Sequence, residues 1–487
     1  MKMLIDGQWV SSSNNSVLGV RNPGTGEQID TVPTATAADV ERALHAAVQG
    51  SQRMRAMPAH RRSAILTAAA GAIQARTEEL GMLLARENGK PIRQTRAEVE
   101  VTARIFRGFA EEARRMFGRT IPLDAVPGNE RHFAVTVRQP LGVVAAIVPF
   151  NYPVELYAHK AGPALAAGNA VIAKPPSACP LTLLRIATIL EEAGLPRAGH
   201  QMVTGPGELV GEILARSPVV RMISLTGSTD VGKRLAQLGA ETLKKIHLEL
   251  GGNDATIVCA DADLEKAAQA IVLGRLARGN GQICCAVKRV FVDRRVYGDF
   301  CARLSTRAKA LNVGDQLCEE TDVGPLISEE AARKVEAAVK DAVKAGARLL
   351  CGGERRGSFL TPTVLADVPL SVPLFKEETF GPVAPVVPFD TVDQAVAMAN
   401  DSSYGLQAAV FTNDISQALS IARQLEVGGV IVNWSSALRS ENLPFGGTKM
   451  SGYGREGLHD TLEEMTEQKV ILFHDAFPAA PEETPAT

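Results

Sequence analysis

The sequence lacks a large net charge and any long apolar run. Lys and Arg together number 52 and Asp and Glu 54, for a formal net charge of -2, so neither a polyanionic partner nor an anionic membrane surface is indicated. The longest apolar stretches, such as residues 141–150, are too short to span a bilayer. Residues 1–7 reach an acid and a glycine before any apolar signal-peptide segment develops. We therefore expect a cytoplasmic protein with no nucleic-acid or membrane partner.

The sequence also lacks a paired arrangement of cysteines. Its seven cysteines are an odd number, with no CxxC pair and no nearby histidine cluster at metal-ligand spacing. This pattern argues against a disulfide framework and against a metal site, and it predicts that most of the thiols are small core residues. The cysteines are Cys179, Cys259, Cys284, Cys285, Cys301, Cys318 and Cys351.

What the sequence does contain is typical of a folded α/β chain. Its 487 residues, 45% apolar and 22% charged, indicate about two to four domains. From residue 141 onward, short β-branched runs alternate with helical stretches, which favours a doubly wound parallel sheet, and a second such series favours a second α/β domain. The predicted strands are 143–148, 171–174, 201–204, 222–225, 246–250 and 256–259 in the first series, and 287–292, 383–389 and 429–433 in the second.

Other segments carry local signals of their own. Thr36 and Asp39 predict a capping box at the start of a helix. Polar and apolar residues alternate in segments 131–139 and 466–474, which predicts two strands of a protruding arm. The final run, 476–487, is rich in Pro, Ala and Glu and predicts a flexible tail.

Ligands of doubly wound sheets bind beyond the carboxyl ends of the strands, so the strand-to-loop junctions are where chemistry is expected. After strand 143–148, two prolines hold the backbone around Asn151, although a loop asparagine is most often only a turn residue. Lys174 ends the next strand, where a lone lysine is usually solvated surface. Neither residue identifies a function by itself.

The third junction, residues 226–233, is a hydroxyl-rich turn that leads into a helix and would suit a phosphate. Gly227, Gly232 and Lys233 have the spacing of a Walker A loop. Arg234, however, stands where the magnesium-binding Ser or Thr would be, which disfavours a P-loop NTPase.

Two further positions carry reactive side chains. Glu249 lies between two leucines, where a carboxylate is costly to bury unless it is paired or used, and it could serve as a general base. Cys284 follows a glycine-rich approach, and a cysteine near a general base is a candidate nucleophile. The alternative for Cys284 is an ordinary core thiol.

Seven short motifs follow one another along the chain. In chain order they are PFNYP at 149–153, KP at 174–175, TGST at 226–229, LELGGN at 248–253, GQIC at 281–284, EETFGP at 377–382 and PFGG at 444–447. Together these motifs resemble the aldehyde dehydrogenase superfamily, from about residue 7 to about residue 473. Residues 158–160 and 462–467 look most like the lactaldehyde, phosphonoacetaldehyde and non-phosphorylating glyceraldehyde-phosphate members.

The resemblance implies an α/β fold with a five-stranded variant of the Rossmann sheet, a second α/β domain and a β arm for oligomerisation into a homodimer or homotetramer. The implied units are a dinucleotide-binding domain of residues 1–121 and 141–251, a catalytic domain of 252–465, the arm of 122–140 and 466–475, and the tail of 476–487.

The resemblance also implies a mechanism. Cys284 attacks the aldehyde carbon, with Cys285 a bystander, while the Asn151 amide and the backbone N–H of Cys284 hold the oxyanion. Hydride transfer to the nicotinamide leaves a thioester, which Glu249 hydrolyses by activating water. A carboxylate at that position favours hydrolysis over transfer to coenzyme A. The alternatives are a coenzyme A-acylating semialdehyde dehydrogenase, a thiol esterase, or a catalytically silent structural homologue.

The implied cofactor is NAD or NADP. The resemblance assigns Lys174 to the adenosine ribose, Ser228 to the diphosphate, and Glu378 with Phe380 to the nicotinamide ribose. Ser177 stands where NAD-preferring relatives usually carry a glutamate, so a 2′-phosphate is not repelled and NADP use is expected. The predicted cofactor-binding set is completed by Pro149, Phe150 and Gly227.

The implied substrate is a small aldehyde that carries a hydroxyl or an anionic group. The loop 434–442, which lines the substrate tunnel in this family, is polar, and Arg439, His159 and Phe445 are the predicted substrate residues. The alternative is that Arg439 pairs with Glu441 on the surface and that His159 caps a backbone carbonyl. No metal is expected.

Overall fold

The computed structural model describes residues 1–478, and its first sheet has eight strands. The five central strands are mutually parallel, which is the predicted five-stranded core. Antiparallel strands extend it at both edges. In spatial order the strands are Gln8–Val10, Met3–Ile5, His200–Met202, Ala170–Lys174, Val143–Ile147, Val220–Thr226, Lys245–Glu249 and Gly452–Tyr453.

Helices cover both faces of this sheet. Alternate residues of the strand Val143–Ile147 belong to two separate apolar cores, because successive side chains of a strand point to opposite faces. The helix Ala37–Ala56 begins at the predicted capping box, in which Thr36 and Asp39 each accept the other's backbone N–H. The helices of this half are Ala37–Ala56, Ala59–Ala75, Thr77–Asn88, Ile92–Glu112, Pro153–Ala167, Leu181–Glu192, Gly207–Arg216 and Thr229–Ala240.

The second sheet has seven strands, and all but the edge strand Arg348–Cys351 run parallel. The predicted strand 256–259 joins this sheet and not the first, because Ala255–Val258 pairs with Arg289–Asp293. In spatial order the strands are Arg348–Cys351, Thr363–Ala366, Val383–Phe389, Arg289–Asp293, Ala255–Val258, Gln407–Phe411 and Gly429–Val432. The helices of this half are Leu264–Ile271, Tyr297–Lys309, Glu329–Lys344, Pro373–Lys376, Val392–Asn400 and Ile415–Gln424. The helix Leu458–Glu464 instead packs against Ile92–Glu112 and Pro153–Ala167 of the first half.

A third sheet joins two segments that are distant in sequence. Phe133–Pro140 pairs antiparallel along its whole length with Thr466–Phe473, close to the predicted arm strands. Thr120–Ile121 adds a third strand, so the sheet begins before residue 122, where the predicted arm began. The backbone pairing of this short strand is not visible in a two-residue sequence pattern.

Near the end of this sheet, His132, His474 and Asp475 bring possible ligand atoms within 4.8 Å of one another. The spacing of these residues in the sequence does not indicate such a group. Of the predicted tail, 476–487, residues 479–487 lie outside the described residues.

Three short antiparallel pairs of strands complete the strands of the described chain. They are Val17–Arg21 with Gln28–Pro33, Arg355–Arg356 with Phe359–Leu360, and Tyr404–Gly405 with Thr448–Lys449.

No helix within residues 1–478 combines the length and apolar character needed to cross a membrane.

Candidate active site

The two large sheets direct their candidate residues into one cleft from opposite strand ends. In the first sheet, Asn151 and Ser228 follow the carboxyl ends of their strands, and Glu249 is the last residue of its own. In the second sheet, Cys284 and Glu378 precede the amino ends of the strands that follow them. Residues far apart in sequence therefore meet where the two edges face each other.

Direct contacts join the two edges. The backbone N–H of Gly252, three residues after Glu249, donates to Glu378 Oε1 at 3.1 Å. The Lys288 ammonium donates to the same oxygen at 2.7 Å and also to the backbone carbonyl of Cys284. One lysine thus ties the cysteine segment to the acidic residue that was predicted to hold the nicotinamide ribose.

The backbone segment that precedes Cys284 is irregular, and its glycines are required. A π-helix, Val272–Ala277, leads into Gly279, Asn280 and Gly281, whose φ angles are 58°, 54° and 73°. A Cβ on Gly281 would lie 2.4 Å from a backbone carbon of Gly381, so only glycine fits there. The turn presents Cys284 at the cleft.

Buried polar side chains hold this segment before Cys284 in place. The Asn280 amide donates to the carbonyls of Gly89 and Pro325. The guanidinium of Arg275 is fully buried and donates to the carbonyls of Val383 and Thr379. Burial lowers the pKa of Arg275 to about 9. These hydrogen bonds fix the turn against the segment that carries Glu378.

The surroundings of Cys284 favour its protonated, neutral form. Its hydrogen bond with the adjacent Cys285 and its burial raise the pKa of Cys284 well above the ordinary range, while the Lys288 ammonium lowers it. Cys284 is partly exposed, whereas Cys285 is buried in an apolar cluster. A thiolate at Cys284 therefore requires a base that takes its proton.

Glu249 has the properties of a general base. Its side chain is buried, and neither carboxylate oxygen has a hydrogen-bond partner within the described residues. Burial raises the pKa of Glu249 to about 7; His247 lowers the pKa, and Glu456 raises it. A carboxylate with a pKa near neutrality can accept and release a proton at working pH.

Buried contacts with Lys90 hold the segment around Asn151 in place. Its backbone carbonyl accepts the Lys90 ammonium at 2.6 Å, and Lys90 also forms a buried ion pair with Glu98. The following Tyr152 packs in the same apolar cluster as Cys285, against Cys284. The residue after Asn151 therefore packs against Cys284, while the oxyanion-holding role of the Asn151 amide stays a prediction.

The predicted cofactor residues line the rest of the first-sheet edge. Lys174 is buried, which lowers its pKa to about 8, and no ion pair to its ammonium is found in residues 1–478. Ser228 caps the helix Thr229–Ala240 through the N–H of Val231. The Ser177 hydroxyl donates to the carbonyl of Gly205 at 3.0 Å. A buried cation without an ion pair among residues 1–478, together with the N-terminus of a helix, fits a phosphate-bearing dinucleotide.

Two other predicted cofactor residues, one beside each sheet, contact each other. The ring of Phe150, next to Pro149, meets the ring of Phe380 edge to face, with centroids 5.8 Å apart. A Cβ at Gly227 would meet only the Leu225 side chain, at 3.3 Å. The Phe150–Phe380 contact shows that the two halves of the predicted nicotinamide end are adjacent.

The surface alternative for Arg439 is wrong. Arg439 donates to Glu456 Oε2 at 2.6 Å in a buried pair, and its guanidinium stacks 4.4 Å from the centroid of Phe445. Glu441 instead pairs with Arg104. The sequence distance of two residues suggested the Arg439–Glu441 pair, but the fold turns the two side chains apart.

The carbonyl-capping alternative for His159 is also wrong for its Nδ1 atom. His159 is buried, and among the described residues its Nδ1 has no hydrogen-bond partner. Burial and the Arg439 charge hold the pKa of His159 well below its usual range. A neutral imidazole here cannot serve as a cationic anchor.

The sequence analysis missed a cavity of about 480 Å³ at the mouth of the cleft. Arg278 and Tyr152 line it, and the Arg278 guanidinium donates to the Tyr152 hydroxyl at 3.2 Å and to the carbonyl of Ala437 at 2.7 Å. Tyr152 and Ala437 also belong to the cluster beside Cys284, so the cavity leads toward the thiol. Arg278 lies six residues before Cys284, a proximity that was its only sequence signal.

The fold and the cleft define an α/β protein in which a cysteine segment, a buried carboxylate with a raised pKa and the carboxyl end of a parallel sheet lie on neighbouring elements. Comparison with known proteins agrees with this class. The model of the aldehyde dehydrogenase family matches residues 9–471. This chain belongs to that family and is an NAD(P)-dependent aldehyde dehydrogenase.

Named relatives span nearly the whole chain. It is 41% identical to the 3-sulfolactaldehyde dehydrogenase of Priestia aryabhattai over 97% of this chain and 98% of the relative. It is 38% identical to the NADP-dependent succinate-semialdehyde dehydrogenase of Escherichia coli over 96% of each. A crystal structure of a Methanocaldococcus jannaschii glyceraldehyde-3-phosphate dehydrogenase with NADP has a TM-score of 0.90, 39% identity, and coverage of 94% of this chain and 99% of the other.

Proposed function

We propose that the residues at the meeting of the two sheet edges carry the aldehyde oxidation. The Cys284 thiol releases its proton to solvent water, its sulfur bonds to the aldehyde carbon, and the carbonyl oxygen, now negative, is held by the Asn151 amide and the backbone N–H of Cys284. NAD(P), when bound, would supply the hydride acceptor. Loss of hydride converts the adduct into a thioester on Cys284. The observation that carries this assignment is that the segment following Glu249 and the backbone of Cys284 are both joined to Glu378, the first through the N–H of Gly252 and the second through Lys288.

The thioester is then hydrolysed. Glu249 takes a proton from water, the water oxygen bonds to the acyl carbon, and the carbon–sulfur bond breaks, so that the acid leaves and Cys284 returns as a thiolate. The buried position of Glu249 and its pKa of about 7 support this role. A transfer of the acyl group to coenzyme A is the competing reaction, and product formation without coenzyme A separates the two.

NADP is proposed as a cofactor that the enzyme uses at least as well as NAD. Lys174 is a buried cation that a 2′-phosphate would neutralise, and Ser177 offers no negative charge to repel that phosphate. The Escherichia coli and Methanocaldococcus jannaschii relatives are associated with NADP. Initial rates with each cofactor, followed by absorbance of the reduced form, test the proposal.

The proposed substrate is a small aldehyde with an anionic or hydroxylated far end. The named relatives act on aldehydes that carry a sulfonate, a carboxylate or a phosphate. Among the cavity residues, Arg278 offers a guanidinium whose partners are a hydroxyl and a carbonyl, which leaves its charge available to an anion. Arg439 already pairs with Glu456, so it is a weaker candidate, and His159 is neutral.

A pair of variants tests this choice. We expect Arg278→Gln to raise KM for succinate semialdehyde or 3-sulfolactaldehyde by at least about tenfold, the loss of one charge-assisted contact of about 1.5 to 3 kcal/mol. The KM for propanal should change little. In Arg439→Gln, a similar loss for both substrates is expected, since Glu456 loses its partner. Equal losses for anionic and neutral aldehydes in Arg278→Gln would contradict the proposal.

The three-stranded arm is proposed to join protomers into a homodimer or homotetramer. Its strand Thr466–Phe473 carries exposed apolar side chains, among them Val470, Leu472 and Phe473, and such a surface is typical of a protein interface. Sedimentation of the wild type and of Leu472→Glu tests this. A monomeric wild type would contradict it.

A further inference from the structure

The strand that carries Glu249 also carries a histidine on the same face. Residues i and i+2 of a strand point to the same side, so His247 and Glu249 of Lys245–Glu249 share one face while Leu248 points into the opposite core. His247 Nε2 lies 3.7 Å from Glu249 Oε1. Both side chains are almost completely buried. A titratable ring thus stands directly beside the proposed general base.

The other ring nitrogen is held by a second carboxylate. His247 Nδ1 is 2.5 Å from Glu464 Oε2, at the end of the helix Leu458–Glu464. The second oxygen of Glu464 accepts the backbone N–H of Arg455 at 3.1 Å. The Glu464 side chain is 34% exposed. The three groups form a line from solvent, through the ring, to the buried base.

Other charged groups pack near this line and are largely paired with one another. Glu456 is bound by Lys160 at 2.9 Å and by Arg439 at 2.6 Å. Burial would raise the pKa of Glu456, but these two cations hold it well below its usual range. Arg439 also favours the ionised form of Glu249, whereas Glu456 disfavours it. His247 differs from them because its contacts lead to Glu249 on one side and to Glu464 on the other.

We propose that His247, oriented and charged through Glu464, is a positioning residue that keeps Glu249 ionised and aimed so that it can take a proton from the hydrolytic water. This inference rests on the proposed role of Glu249. Without a cation beside it, a fully buried carboxylate would hold its proton and could not act as a base.

The charge states agree with this role. Burial disfavours a charge on His247, but Glu249 and Glu464 outweigh it and raise the pKa of His247 to about 9. The ring is therefore cationic below about pH 9. Glu249, with a pKa of about 7, is ionised above that value. Removal of the His247 charge should raise the pKa of Glu249, so activity that depends on the carboxylate should then require a higher pH.

The test measures two pH profiles on the full-length enzyme with its cofactor. The pre-steady-state burst of reduced cofactor reports the steps through hydride transfer, and the steady-state rate at saturating substrate reports hydrolysis when hydrolysis limits turnover. In His247→Asn, we expect the acid limb of the steady-state profile to move up by at least about one pH unit, the effect of losing an opposite charge within about 4 to 6 Å. The burst amplitude and its pH profile should stay as in the wild type.

Two further variants keep the result interpretable. Glu464→Gln retains a hydrogen-bond acceptor for the ring but removes its charge, so the acid limb should move in the same direction by a smaller amount. If His247→Asn does not fold, the position of the acid limb in Glu464→Gln tests the inference instead. His200→Asn is the matched control, since His200 is also buried and bonds the Tyr157 hydroxyl, and it should leave the acid limb where it is.

An unchanged acid limb in folded His247→Asn, or an equal shift of the burst profile, would overturn the inference. The variant Glu249→Gln distinguishes failure of the inference about His247 from failure of the proposed role of Glu249. If Glu249→Gln stalls after the burst while His247→Asn behaves as wild type, only the inference fails. If Glu249→Gln turns over normally, the role of Glu249 fails and the inference fails with it.

Discussion

The two edges of the cleft are built differently. On the first sheet, Asn151, Ser228 and Glu249 stand at or just beyond the carboxyl ends of regular parallel strands. On the second sheet, Cys284 lies before a strand, at the end of a π-helix and a left-handed turn. The first edge uses regular secondary structure to place its side chains, whereas the second uses an irregular backbone.

The difference has a physical basis. Helix N-termini and free backbone N–H groups gather beyond the carboxyl ends of parallel strands, and these suit an anionic cofactor. A nucleophile needs a different setting, in which the backbone comes close to the substrate and offers its own N–H as a donor. The π-helix, the glycines and the buried Arg275 provide that setting.

The largest effect is expected at Cys284 itself, on the irregular edge. Cys284→Ser should lower the oxidation rate at least about 10³-fold, because a hydroxyl has a far higher pKa and cannot form the thioester. Cofactor binding, followed by fluorescence titration, should persist, since none of the predicted cofactor residues is changed. Cys285→Ser is the control and should keep much of the activity. If Cys285→Ser were inactive and Cys284→Ser active, the nucleophile would be Cys285 and not Cys284.

Glu249→Gln tests the regular edge. We expect one burst of reduced cofactor followed by a steady-state rate lowered about 10²-fold or more, since hydride transfer precedes the step that needs the base. Mass spectrometry of the stalled enzyme should find an acyl group on Cys284. Normal steady-state turnover would remove Glu249 from the mechanism.

Gly281→Ala tests whether the irregular backbone is needed. The φ of 73° and the 2.4 Å approach to Gly381 leave no room for a Cβ, so the free energy of unfolding should fall by about 2 kcal/mol or more. Gly298→Ala is the matched control, because a Cβ there meets nothing within 4 Å and lies in a helix. Denaturant unfolding compares the two, and equal stabilities would show that the turn tolerates a side chain.

The smallest effect is expected at Ser177, on the cofactor side of the regular edge. Ser177→Glu should shift the ratio of kcat/KM values from NADP toward NAD by about tenfold, about 1.4 kcal/mol, because the new carboxylate repels a 2′-phosphate and can accept ribose hydroxyls. Ser177→Gln, which adds length without charge, should shift it less. A wild type that already strongly prefers NAD would mean that another residue sets the choice.

The sequence predicted the regular parts well. The strands Val143–Ile147, Ala170–Lys174 and Val383–Phe389 lie within one residue of their predicted bounds at each end, because buried parallel strands are continuous apolar runs with breaks on either side. The sheet that a strand joins was harder to predict, as strand 256–259 shows, since pairing is a long-range property. Resemblance, and not periodicity, located Cys284.

The sequence by itself determined the family, the αβ alternation and the identity of the candidate nucleophile and base, because these reside in short contiguous motifs. Only the tertiary structure decided which charged side chains meet. Arg439 pairs with Glu456 and not with Glu441, and His247 reaches Glu464 across more than two hundred residues of chain. Ion pairs in a buried site depend on how helices and strands pack, and the desolvation that shifts their pKa values exists only once the chain has folded.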